Sequence, residues 1–590
     1  MWRRRQGHPE LSYNAELGSA ASKSMPSSKT SAVNAPEVRS FLPLALAGGA
    51  YAALVLIMWG AFNPASGLGY ETAFPYMSET GAFWWSGFLY RADPLRIHTN
   101  TFYHLSYLLS VASGIRGSYV PYQIVYALLW WGRGVLVFLL LRQFISLGAL
   151  VPYVAGALVI VHSSDNALQW VGQLNQFGFI FWMLLAFYLL TLAAGKSTLR
   201  ATLGCLVAAC FFEYMSLWSY ESQLLLILVY PAVLLFLKPD WRKLCALTAA
   251  WYVMPAGYLL ITLRKYLGSG GGTYQESVLR TGWSAIAVMS DWWFNIASSL
   301  EFWAWEREPA PERITTLMSI GAALVFVAAG LAVFWMVRRG NRPGPLPEAN
   351  HIWWALLAIG SVILALSFPV YLLLGSARGL WRTQFLSGIG SGLVWTAALG
   401  LVWIALGKKK SLSAGALILG AVIVYFGASS AISKGDRHRK IWERHRSVLV
   451  GILRLAPSVK PGTVIVLTGV PKNEDPFGHN MWLDLALRLC YPGIPVAGVY
   501  YYSDGTPSPG NNMQADGDGW KMQEIGSPTN VSESSLANTI VIEWNSSGPE
   551  HLAKSFPAFA CHSKCAVELY NPANVITGPI SPVAVNRYHP

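Results

Sequence analysis

The chain has 590 residues, of which 53% are hydrophobic and only 12% charged, with a net charge of +13. A soluble protein carries roughly twice that share of charged residues, so water is not the main solvent of this chain and an ordinary globular enzyme is excluded. Lys and Arg in a membrane protein gather in cytoplasmic loops and set orientation, so the positive charge reads as a topology signal and not as a footprint for nucleic acid.

Residues 1–40 open with Met-Trp-Arg-Arg-Arg and continue rich in Ser, Ala and Pro. Such a composition cannot bury enough surface to fold alone, and the segment is expected to be a disordered cytoplasmic tail. Its first apolar stretch starts too late and runs too long for a signal peptide. About eleven apolar segments follow, at 41–62, 121–141, 145–161, 177–194, 201–217, 224–237, 244–263, 314–337, 352–374, 385–406 and 412–432. Segments of about 20 apolar residues cross a ~30 Å hydrocarbon core. With the amino terminus inside, the short inner loops hold Arg142, Lys196 with Arg200, Lys238 with Arg242 and Lys243, Arg338 with Arg339 and Arg342, and Lys408 to Lys410. Each is basic, as inner loops are.

The expected architecture is a mainly α, polytopic helix bundle at 41–433, with outward loops 63–120 and 264–313 and a small extracytoplasmic α/β domain at 434–590. The first outward loop contains the aromatic run Ala82 to Tyr90, and the second contains Trp292, Trp293, Trp303 and Trp305. Both read as interfacial, anchoring first and sugar-stacking second. In the tail, a basic helix over 436–455 leads off the last span. Strands are expected at 463–468, 495–502 and 539–544, a helix at 481–489, and a loop over 503–519. Cys561 and Cys565 suit a local bridge if the domain faces an oxidising compartment, with Cys490 left over.

Ionisable groups at membrane depth or at a span's end are costly and point to function. Glu71 follows the first span and is a candidate base or metal ligand, with Glu79 and Asp93 weaker members of the same loop. His162-Ser-Ser-Asp165-Asn closes the third span, and Gln169, Gln173, Asn175 and Gln176 enter the fourth. So many amides suggest a hydrophilic pocket, while Asp165 also reads as a helix cap. Glu221 opens a span and needs a cationic donor from a facing element. Arg378 and Arg382 stand outside, against the orientation bias. Their spacing of four puts both guanidinium forks on one helical face, suited to phosphate oxygens, to anionic lipid or to an internal ion pair.

This layout resembles the GT-C superfamily of integral-membrane glycosyltransferases: an acid soon after the first span (Glu71), an acid in the next outer loop (Asp165) and late outward arginines (Arg378, Arg382). Single acids stand where many members have a pair. The tail, with its Gly462 to Pro471 run and Asp475-Pro-Phe-Gly-His479, is similar to tails of uncharacterised bacterial membrane proteins of this kind. The resemblance implies an enzyme of the bacterial inner or plasma membrane, part of the cell envelope. Its donor would be a sugar on a polyprenyl phosphate, its acceptor a glycan, lipid or protein, and the transfer inverting. Glu71 would act as base with Asp165 in the catalytic pair, and Arg378 and Arg382 would hold phosphate. His162, Glu79, Asp93, Glu221 and Gln173 would line the substrate site, and Asp165 would hold Mg2+ or Mn2+ if a metal is used. The alternative is a non-catalytic membrane subunit whose outward domain binds a partner in a membrane complex.

Overall fold

The computed structural model describes residues 41–60, 86–91, 93–144, 149–268, 279–307, 311–339, 350–375, 378–405, 410–511, 513–522, 533–544 and 550–588. The chain divides into Met1–Leu42, of which the described Phe41 and Leu42 are exposed, and one compact unit, Pro43–Pro590. It is mainly helical. In chain order the helices are α1 (Phe41–Trp59), α2 (Thr101–Ala112), α3 (Val120–Phe144), α4 (Leu150–Val161), α5 (Leu174–Gly195), α6 (Leu199–Leu217), α7 (Leu224–Val233), α8 (Trp241–Trp251) and α9 (Val253–Gly268). They continue with α10 (Ala285–Leu300), α11 (Arg313–Arg339), α12 (Asn350–Leu366), α13 (Pro369–Leu372), α14 (Ser387–Ala405), α15 (Lys410–Leu455), α16 (Asn480–Cys490) and α17 (Pro582–Tyr588).

Among the described residues nine helices are long and apolar enough to cross a membrane, and Leu150–Val161 and Leu224–Leu237 are shorter apolar helices. Together these coincide with the eleven apolar segments of the sequence. With hydrocarbon outside, interhelical contact rests on close packing and on satisfied polar tips. Tyr51 donates to the Tyr153 carbonyl at 2.8 Å, Tyr153 to Phe326 at 2.8 Å and Trp130 to Ile160 at 2.8 Å. The opening of α14, Ser-Gly-Ile-Gly-Ser-Gly, supplies the close packing. A methyl group on Gly390 would stand 2.7 Å from the Gly360 carbonyl, and one on Gly392 2.6 Å from Val159. Only a bare backbone fits between α4 and α12 at that crossing.

The longest of the described helices runs unbroken from Lys410 to Leu455, 46 residues. At 1.5 Å per residue it is about 69 Å long, more than twice a hydrocarbon core. The 434 boundary expected from sequence falls in its middle. Its far half carries the carboxy-terminal domain, whose first sheet has strand order β2 (Val496–Tyr502), β1 (Thr463–Val470), β6 (Thr539–Glu543), β7 (His551–Leu552). β1 pairs in parallel with β2 and β6, and β7 is antiparallel. A second sheet is ordered β5 (Glu533–Ser535), β4 (Gly519–Met522), β3 (Met513–Gly517), β8 (Cys561–Cys565). β3 lies within the stretch expected to be a loop: Met513 and Ala515 alternate inward beneath a Gly/Asp-rich composition that hides the period of two. Cys561 and Cys565 are disulfide-bonded, and Cys490 is a buried free thiol.

The domain also grips the bundle directly. Arg587 of α17 donates to the Gly117 carbonyl at 2.7 Å, Arg446 of α15 donates to the Tyr588 carbonyl at 2.6 Å, and Trp442 meets Tyr119 edge to face. The domain, the start of α3 and the end of α4 therefore share one end of the bundle.

Candidate functional site

At that end the chain leaves α4 at His162 in an extended conformation and passes through a buried segment before α5. A buried loop must find partners for its backbone groups. Lys434, itself buried on α15, donates through Nζ to the carbonyls of Ser163 and, at 3.1 Å, of Asp165. Ser163 Oγ donates to the Gly427 carbonyl and Gln169 Nε2 to that of Ala431, each at 3.0 Å. The third span is thereby stapled to the last.

Asp165 is 2% exposed. Its Oδ1 accepts from the Ala167 amide at 2.8 Å and the Arg382 amide at 3.1 Å, and its Oδ2 from the Gln384 amide at 2.9 Å. Burial pushes the carboxyl up from its ordinary range, and the three amides and Lys434 push it back. Arg382 is held at φ +70°, a left-handed conformation that Arg rarely adopts. Asp165 and Arg382 thus meet through a side chain gripping a backbone.

His162 Nε2 lies 3.0 Å from Ser299 Oγ, 3.2 Å from the Ser299 carbonyl and 3.2 Å from Ser164 Oγ. Ser299 Oγ donates to Ser387 Oγ at 2.9 Å, and Gln384 Nε2 to Asn295 Oδ1 at 3.0 Å. Burial first, and Arg133 second, push the His162 imidazole down to about 3, so it is neutral near pH 7. A carbonyl can only accept, so the hydrogen facing Ser299 O sits on Nε2. Arg133, in mid-helix and 1% exposed, donates to the Val159 carbonyl at 2.7 Å and lies over the Phe177 ring.

Beside this network, Arg96 forms a two-pronged pair with Glu221, Nη2–Oε1 2.5 Å and Nε–Oε2 3.2 Å. The donor that Glu221 needed comes from the loop between the first two spans. The Arg96 guanidinium lies 4.9 Å above the Tyr220 ring, which stacks on Phe179. The Tyr220 hydroxyl bonds the Gln176 side chain, and both Arg96 and Arg382 lie within electrostatic reach of it. Gln173 is 1% exposed, yet neither of its amide atoms finds a partner among the described residues, and Arg382 Nε finds none either. Two guanidinium groups within reach of one phenol make a setting for an oxygen-rich anion.

Other candidates are engaged elsewhere. Arg378 Nε pairs with Asp291 Oδ1 at 2.5 Å and its Nη2 donates to Ser290 Oγ at 2.6 Å, while Arg280 holds the other Asp291 oxygen. Arg378's hydrogen bond and then Arg280 keep the Asp291 carboxyl below its ordinary range against the cost of burial. Asp93 Oδ1 takes Lys265 Nζ and the Leu95 amide, each at 3.0 Å. Glu71 and Glu79 lie outside the described residues. Sequence reasoning did not single out Lys434, Asp291, Arg96 or Arg133. A lysine one turn beyond an apolar span and an arginine inside one were the signals available.

A divalent cation does not fit Asp165 as it stands, because three amide hydrogens already point at its two oxygens. Among the described residues no group of three or more His, Cys, Asp or Glu side chains is placed to hold a metal. The aromatic run near residue 82 is described only from Ser86, where Ser86–Phe88 forms a 3-10 turn. Trp305, expected at the interface, is instead 6% exposed, with its ring 4.9 Å from His162.

No family model matches the chain, and no curated protein matches it. Among solved structures it is similar to ArnT from Cupriavidus metallidurans bound to undecaprenyl phosphate, at 17% identity over 71% of this chain and 82% of that one, with a TM-score of 0.33. A likeness of that extent fixes neither a fold family nor an activity.

Proposed function

We propose that the chain is a GT-C-type membrane glycosyltransferase that moves a sugar from a polyprenyl-phosphate donor to an acceptor hydroxyl on the outer face of the membrane. The carrying observation is the Arg382 segment. Asp165 accepts from the Arg382 amide and Arg382 stands in a left-handed conformation, with the guanidinium Nε unpartnered among the described residues and within electrostatic reach of Tyr220, whose ring Arg96 covers. Backbone strain held by a buried carboxylate is what a preorganised binding group looks like.

In this reading the lipid phosphate lies against Arg382 and Arg96. The acceptor oxygen attacks the anomeric carbon, the bond from that carbon to the phosphate oxygen breaks with inversion, and Glu71 takes the hydroxyl proton. Base assistance of this kind is worth about 10²- to 10⁴-fold in rate. The guanidinium groups meet the charge that develops on the departing phosphate, so no metal is required. Asp165 serves as a positioning residue.

The test uses the full-length protein in lipid nanodiscs. Undecaprenyl phosphate binding is expected to weaken about 10-fold or more in Arg382→Ala, and glycan product to be lost in Glu71→Gln. Binding that ignores Arg382→Ala overturns the site. Native purification with a stoichiometric protein partner and no glycolipid favours the non-catalytic subunit instead.

A further inference from the structure

A second recess opens at the same end of the bundle, beside the His162 network. It has a volume of about 540 Å³ and is lined by Trp303, Trp305, Glu306, Arg307, Tyr425 and Ser429, with Ala304 and Pro311 at its edge. That volume lies within the range of small-molecule sites. We propose that this recess is a saccharide-binding site. As the place of the acceptor glycan it rests on the transferase reading; as a sugar site it stands apart from it.

Three features support this assignment. The lining mixes flat aromatic faces with hydrogen-bonding groups, the combination that recognises a sugar ring, whose axial hydrogens stack on an indole while its hydroxyls seek donors and acceptors. Trp303 is 52% exposed, so its indole is open to a ligand. The polar groups are also fixed before any ligand arrives. Glu306 is held by a two-pronged pair with Arg437, its backbone carbonyl accepts from Ser430 Oγ at 2.7 Å, and Arg307 sits 4.4 Å from the Phe426 ring centre while donating to the Trp305 carbonyl. One turn from Ser429, Ser433 is 5% exposed and its hydroxyl has no partner among the described residues.

The recess is mechanically continuous with the first site. Trp305 lines it and packs edge to face on His162, whose Nε2 reaches Ser164 Oγ next to Asp165.

The experiment is an array of immobilised oligosaccharides probed with the full-length protein in nanodiscs. Wild type is expected to retain a subset of glycans, Trp303→Ala and Arg307→Ala to lower that retention about 10-fold, and Trp303→Tyr to keep most of it. Arg382→Ala is expected to leave retention unchanged, which separates this site from the lipid-phosphate site. No glycan retained by wild type overturns the proposal, as does retention indifferent to Trp303→Ala. So does a Trp303→Ala defect seen only in binding to vesicles of anionic lipid, which assigns the recess to a headgroup.

Discussion

Replacing Asp165 with Ala removes a carboxylate that accepts three backbone amides. The Ala167 bond is local, two residues on, but the Arg382 and Gln384 bonds cross more than 200 residues of chain. A hydrogen bond to a charged acceptor contributes about 1.5–3 kcal/mol, and burial of this carboxyl argues for the lower end. Loss of two such bonds costs about 3 kcal/mol. Relaxation of Arg382 from its left-handed conformation returns about 1 kcal/mol. A net loss of about 2 kcal/mol corresponds to roughly a 30-fold fall in the protection of the Arg382 and Gln384 amides. Hydrogen–deuterium exchange on the detergent-solubilised protein measures this directly. Asp165→Asn, which keeps one good acceptor oxygen, is expected to fall about midway. If protection at 382 and 384 in Asp165→Ala stays within threefold of wild type, the carboxylate does not hold that segment and the reasoning for a preorganised Arg382 fails.

Three further outcomes follow from the same geometry. His162 is neutral when folded and titrates near 3, against an ordinary value of 6.5. The folded state binds fewer protons than the unfolded one below pH 6.5, so this stabilisation is present above pH 6.5 and declines towards pH 3, by about 2 kcal/mol at pH 5; the melting temperature of wild type should drop more steeply between pH 7.5 and 5 than that of His162→Gln. For Arg96 and Glu221, each side chain 29% exposed, a double-mutant cycle on thermal stability should give a coupling of about 1 kcal/mol, and a coupling of zero refutes a structural pair. Gly390→Ala drives a methyl group into the Gly360 carbonyl and should destabilise the bundle by about 1–3 kcal/mol, seen as a lower melting temperature, whereas Gly195→Ala meets open space and should not.

Much of this architecture is legible in the sequence because the bilayer imposes a coarse rule: a stretch such as 385–406 is apolar over the length of a span, and no partner is needed to see it. The tail strands at Thr463–Val470 and Thr539–Glu543 are legible for a similar reason, being short β-branched runs flanked by turn residues. Side-chain pairing is not legible in this way. Arg378 and Arg382 lie four apart in sequence, yet one engages Asp291 and the other stands beside Tyr220, because the segment between them is not a helix and Arg382 is turned by its positive φ. Asp165 looked like a helix cap or a metal ligand. Its actual partners, the amides of 382 and 384, belong to a segment brought near only by the packing of α14 on α4. Lys434 was hidden for the opposite reason: it stands just ahead of the basic helix read over 436–455, while the helix that carries it turns its side chain inward.

That same long helix makes the carboxy-terminal domain an instrument of phase as well as of height. Each residue of an α-helix turns its successor by about 100°, so a single inserted residue between Lys434 and Trp442 would swing the domain a quarter turn or more about the helix axis and carry Trp442 away from Tyr119 and Arg587 away from Gly117. A seven-residue insertion would nearly restore the heading while lifting the domain about 10 Å. Length variation along this shaft is therefore quantised, and a change in its tilt within the bilayer would be delivered to the domain as a rigid sweep.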